Sequence, residues 1–335
     1  MNNRSEALRS ISPTVWLPPT AALAYPFILM LFHSLVGPVG SAPGITAGTL
    51  TAATLISTLA APVLGMYVAH RADIPVRMRR MAYACAAAPT LYVFLGVVQT
   101  LLGSALPDPV VWCVLWLALM FWSTREKVHA RPPECITVKS RWRVAHGISA
   151  VILCLYVFFH LGNHLMGLMG ADQHAAVMNA GRSVYRSTVI EPVLVAAFLF
   201  QVGSGLYLAW QWSRTRHDLF RTFQIASGLY LSVFILGHMN SVFIYARTYL
   251  GIPTDWNFAI GAPAGLINDP WNIRLVPHYW LGVFFVLSHL VAGLRLILLA
   301  HGVSRQTANR VSMAGFALSG GVAIAIIAAM CGVRL

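Results

Sequence analysis

The sequence predicts an all-α fold, a polytopic transmembrane helical bundle of about nine spans whose last five helices form a module of their own. Three observations carry the first part of that reading. Hydrophobic residues make up 58% of the 335 and charged residues 10%, where a soluble domain carries about 25% charged. Mean hydropathy is +0.69. Apolar runs near the roughly 20 residues needed to cross a bilayer recur along the whole length. Only helices or closed barrels satisfy the backbone in lipid, and the alternation of a barrel strand is absent.

Hydropathy places the spans in order. The first half reads 17–36, 47–69, 81–104 and a shorter 107–123, opened by Pro107 and Pro109. The second half reads 145–168, 188–212, 222–247, 277–300 and 311–333. Between them lies 124–143, with Arg131-Pro132-Pro133 and the basic residues Arg125, Lys127, Lys139, Arg141 and Arg143. The expected organisation is therefore an accessory four-helix membrane bundle over 1–123, a basic cytoplasmic linker over 124–143 and a five-helix module over 144–335. No internal repeat is evident.

The net charge of +13 is consistent with a nucleic-acid binder until its distribution is read. With nine spans and the N-terminus inside, inner segments hold 17 Lys and Arg residues and outer segments four, Arg182, Arg186, Arg274 and Arg334. That is the asymmetry expected of membrane topology, so nucleic acid is excluded as a partner and membrane lipid takes its place. The expected location is a bacterial-type inner membrane with the N-terminus cytoplasmic. No small-residue cleavage site follows the first span, which predicts that it is retained. The five cysteines are scattered, with no CxxC or CxxCH, which argues against covalent haem attachment and against a zinc knot.

Four intramembrane residues then stand out: His160, Gln201, His238 and His289. At a rise of about 1.5 Å per residue, His160 lies ~22 Å and His238 ~24 Å from the inner surface. Gln201 and His289 lie ~18–20 Å from the outer surface on the same rise. Two positions at each of two depths, on four helices, is the layout of a bundle that stacks two haems. An imidazole in hydrocarbon is costly unless it binds or pairs, and two facing imidazoles are axial ligands for a b-type haem iron. Gly205 and Gly293 follow Gln201 and His289 by four residues and leave room one turn away on the same face. A histidine hydrogen-bonded to a neighbouring helix, and glycines in ordinary small-residue helix packing, are the competing explanations.

These residues belong to a wider pattern over about 141–333. It includes Arg143-x-x-His146, His160-Leu161, Asn163-His164, Gln224-x-x-Ser227-Gly228 ahead of His238, Ser288-His289 with Gly293, and Ser304-Arg305-Gln306. The segment resembles the cytochrome b membrane anchor of succinate dehydrogenase and fumarate reductase, in its single-chain, five-helix, two-haem form. The resemblance implies that His160 and His238 ligate the outer haem and that His289 is half of the inner site. It also implies a quinone as redox partner, and flavoprotein and iron–sulfur subunits docked on the cytoplasmic face. Such a chain is an anchor and electron-transfer subunit and does not itself hold the catalytic centre.

Three departures modify the expectation. Gln201 stands where the family has its second inner histidine, and an amide oxygen is a poor axial ligand beside imidazole. One haem b held by His160 and His238 is therefore expected, with the inner site lost or altered at Gln201 but otherwise kept. Ile225 stands where relatives carry an arginine, and Arg221, one turn earlier, is a substitute propionate partner or an inner-surface anchor. About 140 residues precede a module that in the family begins with its haem-binding helices. The alternatives left open are a haem-containing membrane sensor or anchor without turnover, and a haem-free structural subunit.

Overall fold

The computed structural model describes residues 12–37, 44–71, 74–125 and 140–335, and among them there is no β-strand. Most of the basic linker, 126–139, lies outside the described residues. Among the described residues seven helical segments are long and apolar enough to cross a membrane, and one pair bent by 72° is a broken span or a re-entrant loop. The remaining expected span is the 17-residue apolar helix Asp108–Thr124, about 26 Å long at the α-helical rise.

The first half builds six helices. A 3-10 turn, Pro13–Trp16, leads into α1 (Leu17–Val36). Pro18 fits the first turn because its missing N–H would have no partner there. The second span is α2 (Ile45–Ser57) and α3 (Ala60–Ala69), nearly continuous. The expected single span 81–104 is instead α4 (Val76–Ala86) and α5 (Ala88–Leu101), meeting at 72°. The break falls at Ala87, just before Pro89, whose ring cannot continue an uninterrupted helix. α6 (Asp108–Thr124) closes the group, its first-turn Asp108 complementing the helix dipole.

The second half contains α7 (Ser140–Leu165), the surface helix α8 (Ala171–Tyr185), α9 (Ile190–Trp212), α10 (Leu219–Met239), α11 (Leu275–Ala300) and α12 (Arg305–Met330). α10 runs on as a π-helix over Asn240–Leu250. α7, α9, α10, α11 and α12 form a closed ring, each packing on its neighbours and α12 returning to α7. In this ring α7 and α10 face each other across the interior. The large side chains turned outward from α7, Ile148, Val151, Ile152, Leu155 and Phe158, form a continuous apolar face, as a lipid-facing helix requires.

The two halves are interlocked. Ile225 and Ala226 of α10 are buried in one cluster with Val15, Val68, Ala82, Tyr83 and Ala86. Arg274, just before α11, pairs with Asp108 of α6 at 2.6 Å. His33 Nε2 lies 3.0 Å from the Asn268 carbonyl and His70 Nδ1 lies 2.8 Å from the His217 carbonyl. The position of Ile225 thus has a local cause: its side chain meets apolar residues of the first half, where a guanidinium would be stripped of water without a partner.

Candidate functional site

Two polar clusters lie inside the ring, and their chemistry differs. The first, toward the end of the bundle where α7 meets α8, is dominated by imidazoles. His160 and His164 are one turn apart on α7 and share a face, their rings 4.8 Å apart. His238 comes from α10, and its ring centroid lies 5.9 Å from that of His160. Tyr156 stacks on His160 at 5.6 Å and Phe234 stacks on His238 at 5.9 Å. Beyond His164 stand His174 of α8 at 5.5 Å and Trp256 at 6.3 Å. On the other side His278 of α11 lies 4.7 Å from Phe234.

Hydrogen bonding in this cluster is conspicuously incomplete. Asn163 Nδ2 donates to His174 Nε2 at 3.1 Å. Asn163 Oδ1, His164 Nδ1, His174 Nδ1, Asn240 Nδ2 and His278 Nδ1 are buried without a partner among the described residues. Each such group costs roughly 1–3 kcal/mol if left unsatisfied, so a concentration of them marks a place where ligand or water completes the site. His174 lies outside the spans; burial, with Arg182 second, holds its pKa below the usual histidine value.

The His160–His238 pair was tested against its expected role. The two ring centroids lie 5.9 Å apart with their planes at 69°. Among the described residues no group of three or more His, Cys, Asp or Glu side chains is placed to hold a bare metal ion. Two imidazoles alone suit a macrocycle that brings four nitrogens of its own. Two imidazoles with no third donor do not make a site for an isolated ion.

The second cluster lies nearer the other end, and each of its two histidines is hydrogen-bonded through Nδ1, while Gln201 Oε1 is left without a partner among the described residues. Gln201 Nε2 of α9 donates to His146 Nε2 of α7 at 3.0 Å. His146 Nδ1 then donates to Ser204 Oγ at 2.8 Å, and Ser204 donates to the Phe200 carbonyl at 2.7 Å. Across the ring, His289 Nδ1 donates to Ser227 Oγ at 2.9 Å, which donates to the Gln224 carbonyl at 3.2 Å. Gln201 and His289 are therefore each engaged locally, and His146 stands in the place expected to be kept open. A Cβ on Gly205 would lie 3.3 Å from His146 Cε1, so that glycine makes room for this side chain. Gly228 plays the same part for His289, whose Cε1 would lie 3.1 Å from an added Cβ. Gly293 faces open space.

Sequence reasoning did not assign sites to His146, His174, His278, Ser204, Ser227 or Trp256. Arg143-x-x-His146 and Ser227-Gly228 were visible as pattern elements, and the Pro277-His278 start of α11 carried a further signal. His174 and Trp256 come from segments between spans, where hydropathy gives no register. Comparison of the chain with family models, curated proteins and solved structures finds no match.

Proposed function

We propose that this multi-pass chain is a membrane-embedded b-type cytochrome. It takes one haem b between His160 and His238, and acts as the anchor and electron-transfer subunit of a quinone-linked oxidoreductase of the succinate dehydrogenase and fumarate reductase kind. The observation that carries the reading is the imidazole pair from opposite helices, its ring centroids 5.9 Å apart and its planes at 69°. Haem, when bound, supplies one-electron redox chemistry, and the protein sets ligands, polarity and access.

The chain's own residues perform the rest. Tyr156 and Phe234, stacked on the two imidazoles, hold the ring planes and exclude water. Tyr185 packs on Tyr156 at 5.4 Å, so Arg186 and, on the same helix, Arg182 are cations at hand for acidic haem substituents. His164 Nδ1, buried and unbonded, is a proton donor for a quinone carbonyl. His146 and His289 are committed to Gln201, Ser204 and Ser227, which favours one haem over two. Flavoprotein and iron–sulfur partners on the cytoplasmic face, with the N-terminus on that side, complete the proposal.

Purified protein should contain about one haem per chain by pyridine-haemochrome analysis. His160→Ala and His238→Ala should each abolish the low-spin α-band of the reduced spectrum. A folded His160→Ala protein with an unaltered spectrum would refute the assignment.

A further inference from the structure

A cavity of about 270 Å³ opens at the end of the bundle remote from the imidazole cluster, lined by His217, Asp218, Phe220, Arg221, Gln224, Ala292, Arg295 and Leu296. It is smaller than the roughly 300–1,000 Å³ typical of sites for drug-sized ligands, so a headgroup suits it and a macrocycle does not. Two guanidinium groups set its electrostatics. Arg221 Nη1 donates to Gln224 Oε1 at 2.6 Å and its guanidinium lies 3.6 Å from the centroid of the Trp212 ring. Arg295 is 8% exposed; its Nε donates to Asn309 Oδ1 at 2.8 Å and it packs over Phe220 at 4.0 Å. Those contacts fix both side chains and leave Arg295 Nη1 and Nη2 and Arg221 Nη2 with no hydrogen bond among the described residues.

Neither arginine makes a direct ion pair with a carboxylate among the described residues, although Asp218 acts on Arg221 through space. The ion pairs among the described residues that involve a span or its end are Arg247–Glu191 and Arg274–Asp108. Asp218, the one acidic residue of the lining, spends Oδ1 on the Arg221 backbone N–H at 2.8 Å, capping α10. Two oriented guanidinium groups against one carboxylate leave a half-enclosed site net positive, which suits an anion with several acceptor oxygens. The lip selects the kind of anion. Leu296 lines the cavity and is itself exposed; Leu219 and Ile297, each next in sequence to a lining residue, and Met313, one turn beyond the Asn309 that holds Arg295, are exposed as well. A soluble phosphate has no use for that apolar border, whereas acyl chains leaving the headgroup would lie along it.

We infer that this cavity is the headgroup site of an anionic phospholipid, its phosphate held between Arg221 and Arg295 and its chains running over Leu219, Leu296 and Met313. Basic pockets between spans at a membrane surface have the right chemistry for such headgroups. The inference is independent of any cofactor, because it uses neither histidine pair.

Native mass spectrometry of the full chain in neutral detergent tests it, with phosphatidylglycerol, phosphatidylcholine and inorganic phosphate as the probes. Phosphatidylglycerol should bind at least about tenfold tighter than phosphatidylcholine. Arg221→Gln and Arg295→Gln should each weaken it by about fivefold, while Arg310→Gln, at an exposed position on α12, should leave it unchanged. Arg295→Lys should keep most of the preference, which guards against a misfolded Arg295→Gln protein. Equal affinity for the two lipids, or unaltered phosphatidylglycerol binding in a folded Arg221→Gln protein, overturns the inference. Full displacement of the lipid by millimolar inorganic phosphate assigns the site to a soluble anion and overturns it as well.

Discussion

Removing Arg274 should separate the two halves energetically, and the size of the effect follows from its surroundings. Arg274 Nη1 meets Asp108 Oδ2 at 2.6 Å, with side chains 9% and 16% exposed. Gln99 Nε2 donates to the other carboxylate oxygen. The guanidinium packs against Tyr92 and Trp271, at 4.5 and 4.7 Å. Unit charges about 4 Å apart attract by about 4 kcal/mol at an effective dielectric of about 20. Deleting one partner of a buried pair costs about 3–5 kcal/mol, because the other charge stays behind without compensation. Arg274→Met leaves Asp108 with Gln99 and the α6 N-terminus; Asp108→Asn leaves a cation with two rings. Each should cost about 3–5 kcal/mol, roughly 6–10 °C at the lower end of the usual scaling. The double variant should cost far less than the sum, with a coupling of at least about 2 kcal/mol. Thermal denaturation in detergent, followed by size-exclusion fluorescence, reads all three. Single variants that melt within about 2 °C of the parent, or strictly additive losses, would refute the reasoning.

Three further outcomes are expected. Gly228→Ala should push His289 off Ser227 and cost about 1–3 kcal/mol as an overpacking change, whereas Gly293→Ala, facing open space, should be neutral or stabilise by up to about 1 kcal/mol; equal melting points for the pair would contradict the placement of His289. Gln201→His alone should still yield one haem, because His146 occupies the space beside Gly205, and a second low-spin species in redox titration should require His146→Gly in addition; a second haem in the single variant would show that His146 is no barrier. Single cysteines placed in 126–139 and in 252–271 should label oppositely with an impermeant reagent in intact cells, and labelling of both from outside would overturn the nine-span topology.

Axial position along a helix was legible in the sequence, and azimuth was not. Counting residues from helix ends puts His160 level with His238, and their rings lie 5.9 Å apart. The same count puts Gln201 level with His289, yet each bonds to something else. Each residue turns a helix by about 100°, so a few residues of boundary error leave depth nearly intact and scramble which way a side chain points. His146 escaped assignment for the same reason: it starts nearer the helix end, and its ring reaches Gln201 from a different turn. Long apolar runs marked the spans because their signal is composition. The break at Ala87 and the helix α8 were missed because one depends on local backbone geometry and the other is too polar to register as a span. Ile225 could be recognised as a departure, but its reason became visible only once Val15 and Tyr83 were found against it.

The 72° bend between α4 and α5 has a consequence for biogenesis. α4 carries Arg77, Arg79 and Arg80 on its first turns, and a central arginine costs about 2.5–3.5 kcal/mol at the translocon. Arg79 is nonetheless 3% exposed, its Nη1 donating to the Ala69 and Arg71 carbonyls at 2.5 and 2.6 Å. Those acceptors terminate α3, and α5 is buried at Tyr92, Val93 and Val97 among its neighbours. The broken backbone that follows these basic first turns is tolerated at membrane depth only where protein surrounds it. It is thus a poor client for one-by-one lateral release into lipid. α10 packs on both α4 and α5, so the bent pair is completed by a helix made more than a hundred residues later.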